Sequence, residues 1–233
     1  MSPRPVLILA PGLLCDTALW RHQIDHLGDL ADVLVADFGS QDSMEAMAAS
    51  VLAMTEGPFS LAGLSMGGYV SLEVMRRAPE RVERLALLDT SARADTPEQT
   101  SRRRGLIELA NKGNFKGVTP RLLPLFLHPE RLDDAELVNT VISMTERVGR
   151  DAFLQQQQAI LERSESRPSL AQIAVPTVVI CGRDDALTPL EWSEEIASGV
   201  PGAVLLPIEQ CAHLATLEQP AAVTAALRYW MQL

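Results

Sequence analysis

Short apolar runs of four or five residues recur along this 233-residue chain, separated by longer stretches with apolar residues every three or four positions. Val6–Leu9, Val33–Ala36, Phe59–Ala62, Leu85–Leu88, Thr177–Cys181 and Ala203–Pro207 read as strands, bounded by Gly, Pro or Asp. Helical spacing covers about Thr17–Leu27, Ser43–Glu56, Met66–Arg77 and Glu218–Met231. Strands alternating with helices predict an α/β fold, a mostly parallel, doubly wound sheet of about six strands. The rhythm breaks between the fourth and fifth strands. From Ser91 to Ala174 only helical patterns remain, such as Leu106, Ile107, Leu109 and Ala110, or Leu137, Val138, Val141, Ile142 and Met144. The expected organisation is a single domain, residues 1–233, with a core of 1–90 and 175–233 and a helical cap insertion at 91–174.

Loops at the carboxyl ends of parallel strands are where sites are built, and three such loops carry candidate chemistry. Gly63-Leu64-Ser65-Met66-Gly67, followed by Gly68, sits between an apolar strand and an apolar helix. It matches G-x-S-x-G, in which a serine on a tight strand-to-helix turn projects its hydroxyl above the sheet. Side chains two residues either side would collide with neighbouring backbone, so glycine is needed there. A serine hydroxyl attacks only when a base takes its proton. Of four histidines, His22 and His26 lie on the first predicted helix and His128 lies in the insertion beside Pro129. His213 follows the last strand in Gln210-Cys211-Ala212-His213, at the same sheet edge as Ser65. The base in turn needs a carboxylate to hold its tautomer. Gly182-Arg183-Asp184-Asp185 follows the fifth strand; Asp185 is favoured, Asp184 is an exposed or helix-capping neighbour, and Asp89 at the end of the fourth strand is a third contender. Developing negative charge on a substrate oxygen needs preset donors. The backbone N–H of Met66 and, from the loop Pro11-Gly12-Leu13-Leu14, that of Leu13 are the candidates for this oxyanion hole.

With these four segments in this order, the chain resembles the α/β-hydrolase superfamily over nearly its whole length, most closely single-domain hydrolases with a helical cap. The matching residues are Ala10-Pro11-Gly12-Leu13, Gly63 to Gly68, Gly182 to Asp185 with Thr188-Pro189, and Ala212-His213 with Pro220. The order Ser, Asp, His is that of α/β hydrolases. The resemblance implies Ser65 as nucleophile, His213 as base and, three residues after Gly182, Asp185 as acid. Two departures stand out. Pro11 replaces the usual His before the oxyanion glycine, and the superfamily's usual N-terminal β-hairpin is missing, so a shortened sheet is expected.

Composition narrows the partners. With 20 basic and 30 acidic residues the formal charge is −10, which argues against nucleic acid and anionic membrane surfaces. No apolar stretch reaches the ~20 residues of a membrane span, and Pro11-Gly12 interrupts the one weakly leader-like run, Met1 to Cys15. Three cysteines, Cys15, Cys181 and Cys211, suggest no disulfide framework. The expectation is a cytoplasmic enzyme acting on a small-molecule substrate, with a homodimer left open. No cofactor and no metal is expected, for want of phosphate-loop, dinucleotide or metal-ligand spacing. The leading activity is cleavage of an ester-type bond through an acyl-enzyme on Ser65. The alternatives are carbon–carbon bond or lactone hydrolysis by the same residues, and a small-molecule receptor on a hydrolase scaffold. Leu122, Leu123, Leu125, Phe126 and Leu127 suggest an apolar substrate, and pack equally well as core. Arg102-Arg103-Arg104 reads as a solvated helix face, with a weaker reading as a carboxylate anchor, and Gln155–Gln158 reads as a polar helix face.

Overall fold

In the computed structural model, which describes residues 4–233, six strands form one sheet. They are β1 (Val6–Ala10), β2 (Asp32–Val35), β3 (Phe59–Leu64), β4 (Val82–Leu88), β5 (Thr177–Gly182) and β6 (Val204–Ile208). Their order is β2-β1-β3-β4-β5-β6, and every pairing is parallel. The helices are α1 (Arg21–Leu27), α2 (Met44–Leu52), α3 (Met66–Arg77), α4 (Pro97–Leu109), α5 (Ala135–Leu161), α6 (Leu190–Gly199), the single turn α7 (Ala215–Glu218) and α8 (Pro220–Trp230).

The apolar runs form strands because alternate residues find a core on each face. In β1, Ile8 and Ala10 join one buried cluster and Leu7 and Leu9 the other. β3 and β4 repeat the split, with Leu61 and Leu85 on the first face and Ala62 and Ala86 on the second. Helices α2, α3 and α6 cover the first face, and α1 and α8 cover the second. Such two-sided burial is why the central strands are apolar at every position. The edge strands β2 and β6 are only half-buried.

Two helices differ from the pattern's simple reading. Thr17–Leu27 is a tight turn, Thr17–Trp20, running into α1, with Asp16 capping the turn through the Ala18 N–H. The last helical stretch breaks at Gln219, before Pro220, into α7 and α8. Between β4 and β5 the regular elements are all helices, without a strand. Its long helix α5 is interrupted at Gly149, whose φ of 79° and ψ of −178° suit glycine alone. The arm before this break places Val141 and Met144 in the second core cluster, and the arm after it places Ala159 and Ile160 in the first. Among the described residues no helix is long and apolar enough to cross a membrane.

Candidate active site

Ser65 occupies the one-residue turn between β3 and α3, with φ 54° and ψ −115°. A non-glycine residue held there costs about 1–3 kcal/mol, so its surroundings must over-determine it. They do so through hydrogen bonds: the Ser65 N–H donates to the Leu88 carbonyl at 2.9 Å, and Thr90 Oγ1 donates to the Ser65 carbonyl at 2.7 Å. Close approach dictates the glycines around it. A Cβ at Gly63 would run into the Gly67 carbonyl, and one at Gly67 into the Ala10 carbonyl. The G-x-S-x-G pattern is thus a packing requirement between α3 and strands β1 and β3.

The loops after β5 and β6 bring the other two groups to this turn. His213 Nε2 lies 2.9 Å from Ser65 Oγ, and His213 Nδ1 lies 2.8 Å from Asp185 Oδ2. Asp185 is held in turn by the Leu187 and Thr188 N–H groups at 2.8 and 3.0 Å and by the Thr188 hydroxyl at 2.6 Å. Burial alone would raise the Asp185 carboxyl. The His213 charge and hydrogen bond, with those from Thr188, bring it below the ordinary 3.8. Burial likewise works to lower His213, but the facing Asp185 carboxylate, aided by Asp89 and Glu218, raises it above 6.5. Both shifts favour a proton kept on Nδ1 and a basic Nε2 aimed at the serine.

The competing acids are accounted for. Asp184 is half-exposed and lies 3.6 Å from His128, away from His213. Asp89 is fully buried, and its two oxygens accept from the Gly182 N–H at 2.7 Å and the Ala215 N–H at 3.2 Å. It therefore ties the end of β5 to the histidine loop. Burial, with the Asp185 charge adding to it, pushes Asp89 well above 3.8. His22 and His26 stack on each other in α1, far along the chain from this cluster, with His22 bonded to Thr224.

Leu13 and Met66, the two expected oxyanion donors, both border Ser65. A Cβ on Gly12 would lie 3.4 Å from Ser65 Cβ, so the loop after β1 packs directly against the serine. Among the described residues neither the Leu13 nor the Met66 N–H has an acceptor, which leaves both free for a substrate oxygen. The next residue, Leu14, has φ 59°, and its N–H donates to Gln156 Oε1 at 2.9 Å. Gln156 also donates to the Phe38 carbonyl at 3.1 Å and is buried. α5 thereby pins the loop after β1.

Sequence reasoning missed several of these contributors. Gln156 and Gln157, read only as part of a polar helix face, are buried, and the signal was available. Positions 153, 156, 157 and 160 follow i, i+3, i+4, i+7, and all four are buried. Thr188 was marked only as part of a matching segment, three residues after Asp185, not as its hydroxyl donor. Nothing in the sequence marks Glu218. It is fully buried, and its carboxylate accepts from the N–H groups of Ala212 at 3.0 Å, Leu214 at 3.3 Å and His128 at 2.6 Å, gripping both sides of His213. Burial keeps its carboxyl above 4.5 despite those donors.

A cavity of about 190 Å³ opens on Ser65 and His213. Leu13, Leu187 and Trp192 of the strand-end loops and helices line it, as do Phe126, Val141 and Ile160 of the segment between β4 and β5. Of the apolar group at 122–127 only Phe126 reaches it, whereas Leu123 and Leu127 are buried in the core. Cys15 also lines the wall, its thiol pushed up to about 12 by burial and by Asp16, too high for a ready nucleophile. Asp89, Cys181 and Asp185 bring ligand-type atoms within 4.8 Å of one another. The carboxylate oxygens are already engaged by N–H, hydroxyl and imidazole groups, and burial raises the Cys181 thiol, so the donor set suits hydrogen bonding rather than a cation.

Comparison with known proteins agrees with this architecture. Over 84% of this chain and 78% of its own length, the pimeloyl-[acyl-carrier protein] methyl ester esterase of Neisseria meningitidis serogroup C is 28% identical. The structure of a thermophilic esterase from Thermogutta terrifontis, with malate bound, superposes with a TM-score of 0.91 at 27% identity, covering 99% of this chain and 90% of that one. The enol-lactonase from Burkholderia xenovorans LB400 gives 0.90 at 22% identity over 100% and 93% of the two chains, a likeness of fold alone. The family model described as the alpha/beta hydrolase family matches residues 7–227, and the chain belongs to that family.

Proposed function

We propose that this protein is a serine hydrolase that cleaves an ester-type bond in a small, largely apolar molecule. The observation that carries the reading is the unbroken hydrogen-bond chain from Ser65 Oγ through His213 to Asp185 Oδ2, at 2.9 and 2.8 Å, opening on a cavity. Ser65 Oγ attacks the carbonyl carbon as its proton passes to His213 Nε2. The Leu13 and Met66 N–H groups hold the oxyanion that forms, a contribution worth about 3 kcal/mol of barrier per donor. The intermediate collapses as His213 protonates the departing alkoxide, leaving the acyl group on Ser65. Water, deprotonated by His213, then attacks the acyl carbon, and the acid and free Ser65 are regenerated. Asp185 stays ionised throughout and stabilises the imidazolium. The segment 91–174 serves as a cap that keeps bulk water out. The names of the relatives support acyl-ester chemistry, and the acidic charge fits a cytoplasmic enzyme for small molecules.

The test is hydrolysis of nitrophenyl esters of rising acyl length by wild type and Ser65→Ala. The expected result is measurable turnover, dependent on chain length, that disappears in the variant. Equal inertness of both would overturn ester hydrolysis and leave carbon–carbon substrates or ligand sensing.

A further inference from the structure

The wall of the cavity is charged in a way that the rest of the molecule is not. The chain carries 30 acidic and 20 basic residues. Yet the residues lining this cavity include two arginines, Arg102 and Arg103, and no Asp or Glu. Both come from α4. Arg102 is exposed at the rim and Arg103 is half-buried, while their exposed neighbour Arg104 does not line the cavity, so the run of three arginines is divided between the cavity and the outer surface.

The positive charge on this wall is only partly neutralised. Arg103 Nε bonds Asp95 Oδ2 at 2.7 Å, but Asp95 is shared: its other oxygen takes Arg163 Nη1 at 2.6 Å. Two guanidinium groups thus divide one buried carboxylate. Arg102 has no ion-pair partner among the described residues. Glu98, one turn earlier on α4, makes no ion pair with it and does not line the cavity. Neutral donors stand beside the arginines. Buried Gln157 accepts from Arg103 Nη1 with its oxygen at 2.9 Å, which leaves its NH2 group as a donor, and Gln99 lines the same wall. Guanidinium forks with amide donors, in a partly enclosed space, match the planar, bidentate acceptor geometry of a carboxylate.

We propose that this α4 wall binds a carboxylate carried by the substrate itself, so that the enzyme acts on half-esters, molecules with one ester and one free acid. The inference rests on the ester-hydrolase reading, since Ser65 must act on the same bound molecule. The apolar lining from Val141, Met144 and Ile160 would cover the chain between the two ends.

The experiment compares nitrophenyl half-esters of glutaric, adipic and pimelic acids with nitrophenyl esters of the same acyl lengths lacking the acid. The expected result is kcat/KM at least about tenfold higher for the acids at one or more lengths, a margin that shrinks as salt is added. Arg102→Gln should remove most of that preference, chiefly through KM, while neutral esters are cleaved as before. Arg103→Lys, which keeps the charge opposite Asp95, should weaken it less. No preference in wild type, or a preference that survives Arg102→Gln and added salt, would overturn the inference. Neutral esters cleaved in a Ser65-dependent way alongside that result would leave the ester-hydrolase reading standing. If both ester series were inert, the reading itself would fall.

Discussion

His213 is pulled in two directions, by a buried setting that disfavours its charge and by the carboxylate of Asp185 that favours it. The second wins, so the imidazole titrates above 6.5. Only the neutral ring can accept the Ser65 proton. The acid limb of kcat/KM should therefore have its midpoint above pH 6.5, read from a pH series on a nitrophenyl ester. Asp185→Asn removes the largest opposing charge and leaves burial opposed only by Asp89 and Glu218. That limb should then move to lower pH while the rate falls about 10⁴-fold; an unmoved limb would assign it to another group. At this scale the sequence was legible wherever one residue type carries a fixed local geometry. Ser65 is framed by glycines that packing demands, and Asp185 and His213 each follow a strand end. Asp89 and Glu218 were not legible in their roles, because a carboxylate that satisfies backbone N–H groups leaves no spacing pattern to read.

Between elements, the decisive contact is the one α5 makes with the loop after β1. Gln156 bonds both the Leu14 N–H and the Phe38 carbonyl, and Leu14 is held at a φ of 59°. Gln156→Leu should leave two buried groups unpaired, at about 1–3 kcal/mol each, seen as a lower thermal midpoint. Because the loop carries the proposed Leu13 donor, kcat and kcat/KM should fall together by tenfold or more, with KM little changed. Gln156→Glu, which keeps an acceptor for Leu14, should recover much of kcat. A variant that lost stability with kcat intact would show that other contacts hold the loop. The strands and the helical run between β4 and β5 were readable from periodicity. The break at Gly149 was not, since an isolated glycine in a helical pattern is commonly tolerated.

For the whole molecule, buried titrating groups divide into two sets that act in opposite senses. Asp185 and Glu73 are held below their ordinary values, Glu73 by Arg76 and Arg77 against its burial. Their stabilisation is present above about pH 4 and is lost as pH falls through the folded values. Asp89 and Glu218 are held above theirs, as is His213. The folded state then binds the extra protons, so these three stabilise more as pH falls and less as it rises. Thermal midpoints should peak near about pH 4, where the first set has made its gain and the second begins to lose its own, well on the acid side of the activity maximum. Coincident optima would mean that the raised groups contribute little. The fold was legible at this scale because alternation of strands and helices admits few arrangements, while the pairing of β4 with β5 across the long helical segment is a property of the sheet alone. That pairing has a consequence for the order in which the molecule is made. Strands β1 to β4 are contiguous in the sheet and precede Thr90, so they can assemble while the rest of the chain is still being synthesised. Ser65 is then in place with neither base nor acid. Asp185 and His213 arrive only after some ninety further residues have closed a loop. On the proposed mechanism a nascent chain is chemically silent until its last strand docks, and hydrolytic competence would report completed folding rather than the first half of it.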